Sequence, residues 1–239
     1  MSPLVWGVEW KLALADRRAL ALTAVLPLAL VTVIYTEALS GPAGRALCVA
    51  LFLGLAMLRT SLPLLRDERT GLAARVMRGG VSSASYLLQR AAAGAALILL
   101  SLIPSLVVVA IAVRASVVEA LIALAALAVT LWIASLLGVL LGAVSKSTSE
   151  ILLVSAVLLV ALLHVSGVFH TPAPDGLGEA LEGVSPFRML HEAFVEMSTG
   201  GRVNGAFAAV AWAVLLPTVV GLLAPRLLGD VRSASRVRP

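Results

Sequence analysis

Chemistry needs groups that exchange protons, hold metal ions or grip phosphates, and this 239-residue chain has few of them. The three histidines are His164, His170 and His191. None pairs with another at the HExxH spacing that sets two imidazoles on one helix face around zinc. Cys48 is the only cysteine, which excludes a disulfide framework and a cysteine-based metal site. The lysines are Lys11 and Lys146. Neither follows a GxxxxGK[ST] loop, whose backbone amides would cradle nucleotide phosphates. Glu37, Glu119 and Glu150 stand at the ends of apolar runs, whereas ion-driven transporters keep acids at mid-membrane. We therefore expect no catalytic residue, no metal and no cofactor bound by this chain. If it takes part in energised work, ATP and magnesium belong to a partner subunit.

The densest set of charges is "LLRDERTGLAARVMRGGVSSASYLLQR", Leu64 to Arg90. At helical spacing Leu72, Ala73, Val76 and Met77 share one side, while Asp67, Glu68, Arg75 and Arg78 share the other and Arg69 breaks the pattern. The spacing predicts one amphipathic surface helix from Glu68 to Arg78. Gly79-Gly80 stops it, since paired glycines are costly in a helix interior. A serine cap restarts helix in "VSSASYLLQR". A polar face this compact suits docking to a soluble partner; the plainer reading is a basic loop touching anionic lipid.

The elements around it are apolar. Hydrophobic residues make up 60% of the chain and charged residues 13%, against about 45–50% and about 25% in soluble domains. Crossing a hydrocarbon core of about 30 Å takes about 20 apolar residues. Six stretches qualify: Ala19–Leu39, Ala46–Leu65, Ala91–Val113, Val117–Val144, Ile151–Phe169 and Gly205–Leu228. Inside a bilayer every backbone group needs an internal partner, so these should be helices. The fold class expected is an all-α polytopic membrane protein with one transmembrane domain over residues 1–239. The N-terminal stretch reads as an uncleaved first span rather than a signal peptide.

Arginine placement orients the chain. With the N-terminus inside, Lys11, Arg17, Arg18, Arg66, Arg69, Arg75, Arg78, Arg90, Lys146, Arg226, Arg232, Arg236 and Arg238 lie in the cytoplasm. Only Arg45, Arg114, Arg188 and Arg202 lie outside. That is a positive-inside pattern, with both termini cytoplasmic in the cell membrane. The net charge of +5 is thereby explained without nucleic acid, which would require a folded basic patch. Residues 3–18 read as an interfacial helix, with Trp6 and Trp10 one turn apart at headgroup level. Residues 66–90 form the cytoplasmic loop, and residues 170–204 an extracellular segment. In the latter, Ser185 and Pro186 open a short helix bearing Phe187, Leu190, Phe194 and Met197 on one face. Arg59 reads as snorkelling from the second span and His164 as a neutral histidine near the outer interface, with a substrate contact the alternative for each. Gly138 and Gly142 make a GxxxG that fits packing within the chain as well as dimerisation.

Four stretches, in order and at their spacing, resemble the membrane subunits of type-2 ATP-binding-cassette exporters over essentially the whole chain. "WKLALADRRALALTAVLPLAL" resembles the family's N-terminal amphipathic helix, its join and the proline inside the first span. "RDERTGLAARVMRGGVSSASYLLQR" resembles the acidic–glycine–leucine coupling segment. "VSGVFHTPAP" resembles the close of span five, and "SPFRMLHEAF" the stretch opening the outer helix. The sequence departs from the family where Arg69 occupies the usual acidic position, Thr70 precedes Gly71 and Gly80 replaces a proline. Asp67 and Glu68 both remain candidates to meet the ATPase.

The resemblance implies two membrane subunits, identical or different, and two separate cytoplasmic ATPases that hydrolyse ATP. It implies coupling contacts at Asp67, Glu68, Arg69, Gly71, Leu72, Arg75 and Arg78, with further contacts at Trp10, Asp16, Arg17 and Arg18. Substrate would enter from the bilayer and leave outward, and the Ala-, Leu- and Val-rich spans suit a hydrophobic or amphipathic cargo such as a drug, lipid or peptide. The alternatives are a haem-export-like permease of cytochrome c maturation and a non-transporting membrane anchor or assembly factor.

Overall fold

The computed structural model describes residues 7, 11, 24–29, 32, 42–112, 114–165, 183, 185, 187, 188 and 206–228. Six helices are bounded among them: α1 (Pro42–Arg69), α2 (Leu72–Arg78), α3 (Ser83–Ala112), α4 (Val117–Val144), α5 (Thr148–Val165) and α6 (Ala206–Leu227). No strand occurs among the described residues. Five helices are long and apolar enough to cross a membrane: α3, α4, α5 and the Val49–Arg69 and Ala209–Leu227 parts of α1 and α6. Most of the proposed first span, the interfacial helix with Trp10, Asp16, Arg17 and Arg18, and most of the extracellular segment lie outside the described residues. Of the first span, residues 24–29 are helical and Pro27 is buried.

Helix α4 is the hub and packs on α1, α3, α5 and α6, with its broadest contact on α1. Small residues permit that closeness. A Cβ on Gly138 would meet Thr60 Oγ1 at 2.1 Å and the Met57 carbonyl oxygen at 2.4 Å. One on Gly142 would meet the Ser61 carbonyl oxygen at 2.7 Å. The GxxxG is thus spent within the chain, bringing α4 onto the α1 backbone. Gly94 of α3 meets the same Thr60, whose Cγ2 lies 2.3 Å from the Cβ position. Three helices therefore converge on Thr60. Its hydroxyl satisfies itself on the Ala56 and Met57 carbonyls, both at 3.1 Å. The Trp132 indole N–H donates to the Ala213 carbonyl at 3.2 Å and ties α4 to α6.

Two turns reverse the chain between long helices. At the first, α3 ends with Ala115 N–H bonded to Ala110 O (2.9 Å) and Arg114 N–H bonded to Ile111 O (3.2 Å). This is a Schellman closure, with Arg114 at φ 54° in the left-handed position that glycine usually fills. Helix α4 then opens on a capping box: Glu119 N–H donates to Ser116 Oγ and Ser116 N–H to the Glu119 carboxylate. At the second turn Glu150 N–H donates to Ser147 Oγ (3.1 Å) and Lys146 N–H to the Glu150 carboxylate (2.8 Å). Glu119 and Glu150, two of the three span-end acids, are helix caps, and the Ser-x-x-Glu spacing at Ser116 and Ser147 carries the signal for them.

Ser185 and Phe187 are buried, and Phe187 joins the apolar core. The Phe187 N–H reaches Ser185 Oγ at 3.4 Å, the bond expected of a serine cap at that position. Arg59 is half-buried on α1, and His164 is exposed on α5.

Candidate functional site

The charged segment is built as a helix, a break and a second helix rather than as one amphipathic helix from Glu68. Helix α1 continues unbroken through Arg69, so Asp67 and Glu68 form its last turn. Thr70 and Gly71 then close it, with Gly71 N–H bonded to Glu68 O at 3.1 Å. Gly71 stands at φ 67°, a conformation that side chains with a Cβ adopt at a cost. Helix α2 follows for seven residues. Gly79 and Gly80 end it, Gly80 at φ 92° donating to Met77 O at 3.1 Å. Ser82 caps α3 by accepting from the Ser85 N–H at 3.2 Å.

The break changes which groups face outward. In α2 the buried side is Ala73, Ala74 and Met77, while Arg75 and Arg78 are exposed. Leu72 and Val76 are half-buried between them. Ala73 and Met77 thus lie inward and Arg75 and Arg78 outward as expected, while Leu72 and Val76 of the expected apolar side are covered only in part and Ala74 is buried in addition. Asp67 does not match: it was expected on the polar side, but belonging to α1 it turns inward and is 6% exposed. Its carboxylate Oδ2 lies 2.9 Å from Arg90 Nη2 of α3 and accepts the Tyr86 hydroxyl at 2.6 Å. Tyr86 and Arg90 are themselves buried, at 1% and 5% exposed. Arg90 is thus half of an internal ion pair. Asp67, Tyr86 and Arg90 pin the end of α1 to the start of α3, directly beneath the turn that carries α2. Removing two charges from water is costly, and only mutual attraction and further hydrogen bonds offset it.

Around this pin lies a basic surface. Arg66, Arg69, Arg75, Arg78 and Lys146 are exposed, and Glu68 is half-buried among them. Arg69 Nη2 donates to the Lys146 carbonyl at 2.7 Å, joining the end of α1 to the turn between α4 and α5. Arg75 Nη2 reaches the Thr70 carbonyl at 3.3 Å and braces the break. Of the two candidate acids, Glu68 is the more open to a partner. No group of three or more histidine, cysteine or acidic side chains suited to a metal occurs among the described residues. Among the described residues the arrangement is an exposed, charged face braced by the Arg69 and Arg75 hydrogen bonds to backbone carbonyls.

A comparison with curated proteins gives no match. A family model, described as ABC-2 type transporter, matches residues 4–197. That match takes in the interfacial segment, the first five expected spans and the whole break-and-helix segment. Together with the apolar helices it makes this a multi-pass membrane permease, and the chain belongs to the ABC-2 type transporter family.

Proposed function

We propose that this chain is the six-span permease subunit of an ATP-driven exporter, carrying a hydrophobic or amphipathic substrate outward. Both termini lie in the cytoplasm, and ATP is hydrolysed by a separate ABC ATPase that docks on Glu68, Arg69, Leu72, Arg75 and Arg78. Gly71 supplies the turn that presents them, and Asp67 holds that turn from beneath. A second membrane subunit completes the pathway. The observation that carries the reading is the exposed α2 face standing on a buried ion pair, within a chain of this family. A loop that only touched lipid would need its arginines but not an internal anchor.

Reversing two charges tests it. Like charges brought together at an interface cost several kcal/mol. Glu68→Arg with Arg75→Glu should therefore weaken ATPase binding by about 2 kcal/mol or more, roughly thirtyfold. The measurement is co-purification of the membrane subunit with a co-expressed ABC ATPase, alongside export by the same cells. Unchanged binding and export in a normally inserted double variant would remove the docking role.

A further inference from the structure

The α3–α4 hairpin holds a feature that neither coupling nor the core uses. Ile103, Val107 and Ile111 of α3 and Val117 and Leu121 of α4 line a groove of about 470 Å³, with Arg114 among its lining. This size lies within the roughly 300–1,000 Å³ of ligand pockets. The apolar walls face outward: Ile111 is 72% and Val117 77% exposed. From Ile103 to Ile111 the helix rises only about 12 Å, less than half of a hydrocarbon core of about 30 Å. The groove thus occupies one leaflet and ends at the hairpin. There the exposed Arg114 guanidinium has no ion pair or hydrogen bond among the described residues. The nearby Glu119 is engaged in the capping box.

We propose that this groove is a binding site for one anionic phospholipid of the bilayer, its acyl chain between α3 and α4 and its phosphate on Arg114. Three properties select that occupant. The walls are apolar along their length, as an acyl chain requires. The charge is single, positive and at the headgroup end, where a phosphate of opposite sign meets it. A second copy of this chain, seated there by two-fold symmetry, would present the same surface and the same arginine. Arg114 also holds the left-handed position where glycine would be free of strain, so its side chain is not there for the sake of the turn.

That last point supplies a clean variant. Arg114→Gly removes the charge and relaxes the turn, so loss of binding cannot be ascribed to misfolding. Ala120, on the same lining, becomes the blocking position through Ala120→Phe. The full chain, purified in detergent, is titrated with phosphatidylglycerol and with phosphatidylcholine of the same acyl chains, and retained lipid is counted by native mass spectrometry. A basic residue near a membrane surface contributes enough that Arg114→Gly should lower phosphatidylglycerol retention about fivefold. Phosphatidylcholine, whose phosphate is offset by its own choline cation, should lose less, so that the preference for phosphatidylglycerol shrinks, and Ala120→Phe should reduce both lipids. A headgroup preference unchanged by Arg114→Gly overturns the site, as does full retention of both lipids by Ala120→Phe. A shift from dimer to monomer caused by Ala120→Phe would make the groove an interface between copies and equally overturn it. The readout needs neither ATP nor the ATPase, so it stands or fails apart from the transport reading.

Discussion

Asp67→Ala is expected to destabilise the protein by about 3–5 kcal/mol, because it breaks the buried ion pair with Arg90 and removes the acceptor of the Tyr86 hydroxyl. For a chain of this length that is roughly 10 °C in the apparent Tm of the detergent-solubilised protein. Arg90→Ala should cost a similar amount by stranding the carboxylate. Tyr86→Phe should cost less, about 1.5–3 kcal/mol, the worth of a hydrogen bond to a charged group. The decisive comparison is the replacement Asp67→Leu with Arg90→Met in a Tyr86→Phe background, so that the buried Tyr86 hydroxyl, which donates to Asp67, is not left unpaired. Apolar residues of similar volume often replace a buried ion pair without loss, so the paired replacement should be more stable than either Asp67→Ala or Arg90→Ala alone. A paired replacement as unstable as the sum of the singles would mean that the two residues do not act as a pair.

Gly138→Ala is the second large effect. Its new methyl would stand 2.1 Å from Thr60 Oγ1, 2.4 Å from the Met57 carbonyl oxygen and 2.9 Å from Met57 Cα. Two of these are backbone atoms, which cannot swing aside, so α1 and α4 must separate. Over-packing usually costs about 1–3 kcal/mol, and this site should lie at the top of that range. Gly94→Ala provides the contrast, because its close contact is a side-chain atom, Thr60 Cγ2 at 2.3 Å. Adding Thr60→Ala should rescue Gly94→Ala in a thermal-shift measurement but leave Gly138→Ala impaired. Equal rescue of both would contradict the packing of α4 on the α1 backbone.

These two sites also separate what the sequence makes legible from what it hides. The Val117–Val144 apolar run has the same bounds as α4, since an arginine and a serine cap interrupt the hydrophobicity on one side and a lysine turn does so on the other. The charged segment hides its phase, because a glycine interrupts its helical period. At Gly71 the backbone turns left-handed, and the angular phase of everything before it is lost. Read from the other direction, Asp67 is legible. It extends the buried stripe Leu53, Met57, Thr60 and Leu64 of α1 by one further step. Tyr86 and Arg90 likewise stand four apart on the stripe that continues to Gly94 and Leu97. What no single chain stretch discloses is that the two stripes meet, since that depends on α1 and α3 both packing on α4.

The GxxxG illustrates the same limit. Its spacing predicts close approach by a helix, but not which helix, and Met57–Ser61 of α1 answers that only in three dimensions. The caps at Glu119 and Glu150 were readable from Ser-x-x-Glu alone. They also give those acids structural work to do at the span ends.

A docking contact between the α2 face and an ATPase can be read by cross-linking. In a Cys48→Ser background, a cysteine placed at Arg75 on the α2 face is compared with one at Arg114 on the α3–α4 hairpin. Membranes carrying each variant are treated with a short thiol-to-amine cross-linker in the presence of the co-expressed ATPase. A cross-link to the ATPase from position 75 and none from position 114 is the expected result. No cross-link from 75, or equal yields from both positions, would contradict the docking face.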